Sequence, residues 1–168
     1  TASNFTIMKK ILALAVVVAL AAGCTKDPTL ADRMEGDWLV NDITASGQIT
    51  ILGTSVPLIA NDKSITSTST FTMIQEPNSA TYSVDAVLEV SAGTTFDFPW
   101  QQSGSGTWET IPGNGIAPDS VYLVTDSSTT KYEVLNLLDN DVRLRTLTAV
   151  DFQGQGINLL LEMGFARQ

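Results

Sequence analysis

From Gly36 onward, apolar residues recur mainly at every second position, and Thr and Ser fill many of the alternate places. That period of two belongs to strands whose faces meet different surroundings. The clearest case is Thr81–Val90, with Tyr82, Val84, Ala86, Leu88 and Val90 on one face and Thr81, Ser83, Asp85 and Glu89 on the other. A helix would scatter the same apolar residues around its circumference. Lys131–Leu138 sets Tyr132, Val134 and Leu138 to one side, and in the next strand Val142 and Leu144 face away from Arg143 and Arg145. Asp139-Asn140-Asp141 between them tolerates turn conformations, so a hairpin is predicted. Further strands are predicted at Asp37–Ala45, Gln48–Leu52, Ser64–Ile74, Gly106–Thr110, Ser120–Thr125 and Ile157–Phe165. Glu76-Pro77-Asn78 and Pro112-Gly113-Asn114-Gly115 punctuate them. Leu159–Met163 also fits a helix, but Ile157, Leu159, Leu161, Met163 and Phe165 alternate, and Gly156 and Gly164 favour a closing strand.

About nine strands without a long helical segment make an all-β domain, a barrel or a sandwich. Closure removes unpaired edges, which favours an antiparallel β-barrel of about 8–9 strands. No internal repeat or linker divides residues 36–168.

The first residues read as an address. Met8-Lys9-Lys10 is followed by the apolar run Ile11–Ala22 and then Gly23-Cys24. Twelve residues of helix rise about 18 Å, short of the roughly 30 Å of a bilayer's hydrocarbon core. A secretory signal peptide has this build. Thr1–Ile7 carries no charge and reads as an upstream extension. Residues 1–23 are therefore expected to be removed, leaving 24–35 as a tether, with one helical turn in Pro28–Met34, ahead of the domain.

Composition narrows the chemistry. The chain has 9 Lys+Arg, 18 Asp+Glu, no His and one Cys in 168 residues. Lack of histidine excludes a Ser-His-Asp triad, a Cys-His dyad and an HExxH zinc site. One cysteine excludes a disulfide framework, and a net charge of −9 argues against nucleic-acid partners. Losing Lys9 and Lys10 with the leader takes the net charge to −11. A body of that charge is repelled by an anionic membrane surface, so charge would not attach it.

Ala21-Ala22-Gly23-Cys24, preceded by Leu20, resembles the lipobox of bacterial lipoproteins, in which the cysteine is diacylglycerylated and becomes the mature N-terminus. Thr25 after Cys24 lacks the inner-membrane retention aspartate of enteric bacteria, which implies an outer-membrane position. Thr25-Lys26-Asp27 loosely resembles a surface-export tag of Bacteroidetes-type lipoproteins, but Pro28 stands where a second acid is usual. Gly36-Asp37-Trp38-Leu39-Val40 resembles the Gly-x-Trp opening of lipocalin-like lipoproteins from such bacteria. Gly106-Thr107-Trp108-Glu109, Val121–Val124, Ser127–Thr130 and Tyr132-Glu133-Val134 resemble their later hairpins. The resemblance implies a calycin-type barrel with room for a small apolar ligand. It also implies a late arginine packed over Trp38, for which Arg143 and Arg145 are candidates by position.

On this reading Trp38, Tyr82, Val84, Leu88 and Trp108 are candidate ligand contacts, with Trp38 also suited to fill the barrel floor. Phe96-Asp97-Phe98-Pro99-Trp100 lies between Gly-containing flanks, Ser91–Thr95 and Ser103–Gly106. Phe96, Phe98 and Trp100 could then form a lid or partner-binding loop, or tuck against the rim. Asp139 and Asp141 lack the Gly and distal Glu of an EF-hand, Asp85 and Glu89 form no marked dyad, and no GxSxG singles out a nucleophile. The expectation is a binder without catalytic activity, cofactor or metal. The alternatives are an accessory module docking on envelope proteins or glycans, or an enzyme inhibitor.

Overall fold

The computed structural model describes residues 27–152 and 155–168, so Cys24 and the predicted leader lie outside the described residues. Thr29 starts the only helix found among them. Its hydroxyl accepts from the Asp32 N–H at 3.1 Å, and the Asp32 carboxylate accepts from the Thr29 N–H at 2.8 Å. This reciprocal cap satisfies donors that a helix start leaves open and fixes α1 (Leu30–Met34), the expected single turn.

Nine strands follow: β1 (Gly36–Ile51), β2 (Thr54–Ile65), β3 (Thr70–Ile74), β4 (Ser79–Ser91) and β5 (Thr95–Ile111), then β6 (Ser120–Val124), β7 (Thr129–Leu137), β8 (Asp141–Phe152) and β9 (Gln155–Arg167). All pairings are antiparallel, and β1 returns to β9 from Trp38↔Arg167 to Gly47↔Leu159, so the sheet closes into a barrel-like ring. β2 and β3 occupy one place in that ring. β2 lies between the second half of β1 and the end of β4, and β3 between the first half of β1 and the start of β4. Buried Ser69 bridges the break, its hydroxyl accepting from the Asp85 N–H at 2.9 Å and donating to the Asp85 carbonyl at 3.1 Å. These bonds stand in for the missing ladder.

The inward face carries the core, including Trp38, Ile43, Met73, Val121, Leu144 and Phe165, and alternation accounts for it. The all-β ring expected from the sequence is present, with four local corrections. Asp37–Ala45 and Gln48–Leu52 are one strand, Ser64–Ile74 is broken at 66–69, β2 begins ten residues before the predicted Ser64, and β5 begins at Thr95 rather than Gly106. Ser103–Gly106 is strand, not a flexible flank.

Prolines mark where the ring is incomplete. Pro57 lies in the part of β2 that pairs with β1 alone, and Pro99 in the part of β5 that pairs with β4 alone. A residue without an N–H is tolerated in a strand that has a free side. Gly106 marks where β5 gains its second partner, for a Cβ there would lie 2.1 Å from the Val124 carbonyl oxygen. Because that atom is backbone, Gly106→Ala is expected to pry β5 from β6 and cost about 1–3 kcal/mol. Urea unfolding measures this, and a loss below a few tenths of a kcal/mol would contradict the close approach.

Candidate functional site

One end of the ring is closed. Trp38 is 0% exposed; its indole N–H donates to the Met34 carbonyl at 2.9 Å. The Arg167 guanidinium lies 4.3 Å over its ring, a favourable cation–π distance. Arg167 also donates to the backbone carbonyls of Arg33 at 2.7 Å, Glu35 at 2.8 Å and Asp139 at 2.9 Å. It thereby ties α1, the start of β1 and the β7–β8 turn to the last strand. The covering arginine is thus Arg167, not Arg143 or Arg145. Alternation along β8 turns Val142 and Leu144 inward and those two arginines outward, where Arg143 pairs with Asp42 and Glu162, and Arg145 with Glu133 at 2.8 Å. Arg167 stands opposite Trp38 in register, and opposed residues of antiparallel strands share a face.

Trp108 is also part of this floor. Its indole N–H donates to the Ile74 carbonyl at 2.9 Å, and the Asn78 side chain brackets its backbone. Neither Trp38 nor Trp108 lines the cavity described below; both are packed into the closed end. Asp139 and Asp141 form the predicted turn, with the Leu138 N–H donating to the Asp141 carbonyl at 2.8 Å.

The other end is open. β6 and β7 are short, so Thr95–Gly106 of β5 pairs only with β4, and Thr146–Phe152 of β8 only with β9. Among the described residues no strand fills the wall between these two edges. Behind the gap lies a cavity walled by Ala45 of β1, Leu58 and Ala60 of β2, Leu88 and Val90 of β4, and Ile157, Leu159 and Leu161 of β9. Phe98 and Trp100 of β5 and Thr148 and Val150 of β8 flank the gap. Among the described residues that line it, the Thr148 hydroxyl and the Trp100 indole N–H are the only polar side-chain groups.

Positions open to the centre of a water-sized body fill about 50 Å³, and the whole indentation, mouth included, holds about 540 Å³. The first figure exceeds the roughly 10–15 Å³ that one water needs. The second counts open solvent, so the enclosed space suits a slender chain better than a fused ring system. Burial follows the gap. Leu58, Ala60, Leu88 and Val90 are buried, whereas Phe96, Phe98, Trp100, Thr148 and Val150 are half-buried although they too face inward.

Phe96–Trp100 is therefore not a loop. It is part of β5, and the alternation of Phe96, Phe98 and Trp100 with Asp97 and Pro99 turns the three rings toward the core. That alternation was visible in the sequence; the flanking glycines and Pro99 obscured it.

Below the cavity, sharing Trp100 and Leu161 with it, is a smaller pocket lined by Phe71, Tyr82, Val84, Gln102, Tyr132 and Leu144, among others. Of the expected ligand contacts, Tyr82 and Val84 line this pocket and Leu88 the upper cavity. Tyr132 was not singled out, because its period-two neighbours mark it only as core. Burial pushes the Tyr132 phenol from its usual 10.0 up to about 12, with electrostatic repulsion from Tyr82 adding to the shift. Its neutral form is the one the fold favours. That contribution is complete below pH 10 and disappears as pH rises toward 12, a loss of about 2–3 kcal/mol. Urea unfolding across pH 9–12 should show the decline, and Tyr132→Phe should flatten it; an equally steep decline in that variant would refute the assignment.

The inner surface thus offers apolar contact and a few hydroxyl or amide groups, suited to holding a molecule by burial. Among the described residues no helix is long and apolar enough to cross a membrane. Comparison of the chain with known protein families, curated proteins and solved structures finds no match.

Proposed function

We propose that this chain is a binding protein of the bacterial cell envelope, fastened to the outer membrane by lipid on Cys24, that holds a small apolar or amphipathic ligand inside a lipocalin-like ring. The observation that carries the reading is the cavity at the open end, walled by aliphatic and aromatic side chains and reached through a gap in the sheet. We read the chain as a binder rather than a catalyst because these contacts act by excluding water.

The anchor fits this arrangement. Cys24 is three residues before Asp27, so at about 3.6 Å per residue an attached lipid is held within roughly 11 Å of it. Asp27 precedes α1, which packs at the closed end, so the cavity faces away from the anchored end. Docking through Phe96–Trp100 is the weaker reading, because those rings face the core.

Native mass spectrometry of the protein extracted from membranes tests both halves. The expected spectrum has an acylated N-terminal Cys24 and a co-purifying apolar molecule. An intact leader would remove the anchor, and an empty protein that takes up no apolar probe would remove the carrier.

A further inference from the structure

The cavity and the pocket below it meet at Trp100 and Leu161. From Leu88 beside the cavity to Tyr82 in the pocket is six residues of β4, roughly 20 Å at about 3.3 Å per residue. The path is apolar at its upper end and carries three polar side chains at its lower end: Tyr82, Tyr132 and Gln102.

Their placement is specific. Gln102 belongs to the inward set of β5, yet it is exposed, because no strand lies beyond β5 at that height. The Tyr82 ring lies across Gly104, where a Cβ would meet its hydroxyl at 2.7 Å and its ring carbons at 2.8 Å. The bare glycine lets the phenol reach over the edge strand. Among the described residues neither tyrosine hydroxyl has a hydrogen-bond partner and no buried side-chain polar atom lacks one, and both tyrosines are half-buried, so neither hydroxyl counts as a sealed polar atom. Neither pocket is lined by Lys or Arg; the arginines of β8 point outward into their ion pairs. A carboxylate drawn in here would leave water without a counter-charge, which is costly. A hydroxyl, ester or amide loses far less and gains a phenol partner.

Resting on the carrier reading above, we propose that the ligand is an uncharged long-chain molecule whose single polar group is hydrogen-bonded by Tyr82 and Tyr132, with Gln102 beside them. Its chain runs past Trp100 into the upper cavity, and it is taken in sideways between β5 and β8.

The test titrates radiolabelled 1-dodecanol, dodecanoate and dodecane against the full chain at pH 8, where dodecanoate is ionised. Binding that persists when Ala60→Phe fills the cavity is subtracted. The expected result is dodecanol binding at least tenfold more tightly than dodecanoate. The Tyr82→Phe/Tyr132→Phe variant should bring dodecanol about tenfold down, toward dodecane, while leaving dodecane unchanged. Tyr122→Phe, on the outer face, should change nothing. Dodecanoate binding as well as dodecanol, or dodecanol indifferent to the double variant, overturns the subsite and leaves the carrier standing. Failure of all three probes overturns both. Unchanged circular dichroism shows that the variants are folded.

Discussion

Trp38→Ala is expected to lower the unfolding free energy by about 3–5 kcal/mol, the usual range for removing a buried large aromatic. Natural domains are stable by about 5–15 kcal/mol, so the variant should sit close to unfolding, with a midpoint temperature lower by on the order of 10 °C. The size of the effect follows from position. Trp38 is fully buried, its N–H is bonded to α1, and Arg167 lies on its ring. Removing the ring leaves a void at the closed end and takes away the surface on which the arginine rests. Arg167→Ala should cost less, because it loses the guanidinium's bonds to three carbonyls that water can partly replace. The double variant should cost less than the two single changes together, since contacting residues share one interaction. Urea unfolding of the four proteins checks this; strict additivity would mean that the stacking contributes nothing to the closure.

Ala60→Phe should abolish ligand binding while leaving the ring folded. Ala60 is buried, faces the cavity, and stands opposite Ala45 on one side and Val90 on the other. A phenyl ring placed among these small residues takes up the free space of about 50 Å³ and any wider room the ligand uses. Overpacking of this kind costs typically about 1–3 kcal/mol, within what the domain tolerates. Loss of at least a hundredfold in affinity for 1-dodecanol, with a cooperative unfolding transition retained, is the expected outcome. Undiminished binding would place the ligand elsewhere and remove the main support for the carrier reading. Trp100→Ala makes the complementary change: it removes the partition between the two pockets and should admit bulkier chains.

The strands were legible where side chains alternate strictly between core and solvent. Thr81–Val90 lies wholly within β4, and Ile157–Phe165 within β9, the closing strand. The start of β2 is hidden in the sequence because Pro57 lies in it and Val56–Ala60 is an unbroken apolar run that does not alternate; the proline is tolerated only because β2 has one neighbour there. β5 was cut short for a related reason. Its glycines, at Gly104 and Gly106, serve close approaches to Tyr82 and Val124 that no local pattern discloses. The arginine over Trp38 was misassigned because its place depends on how β9 meets β1, a contact between residues more than a hundred positions apart.

By itself, the chain's pattern determined an all-β domain, most turns and the inward set of residues. Those properties are local, since they depend on the period of side chains along a strand. Only the tertiary structure decided which residues face a void and which fill the floor. Shortening β6 and β7 opens the wall beside Phe98 and Trp100, whereas Trp38 and Trp108, equally apolar, are sealed by Arg167, α1 and Asn78. Whether an inward side chain touches a ligand or another side chain is set by the lengths of strands on the far side of the ring.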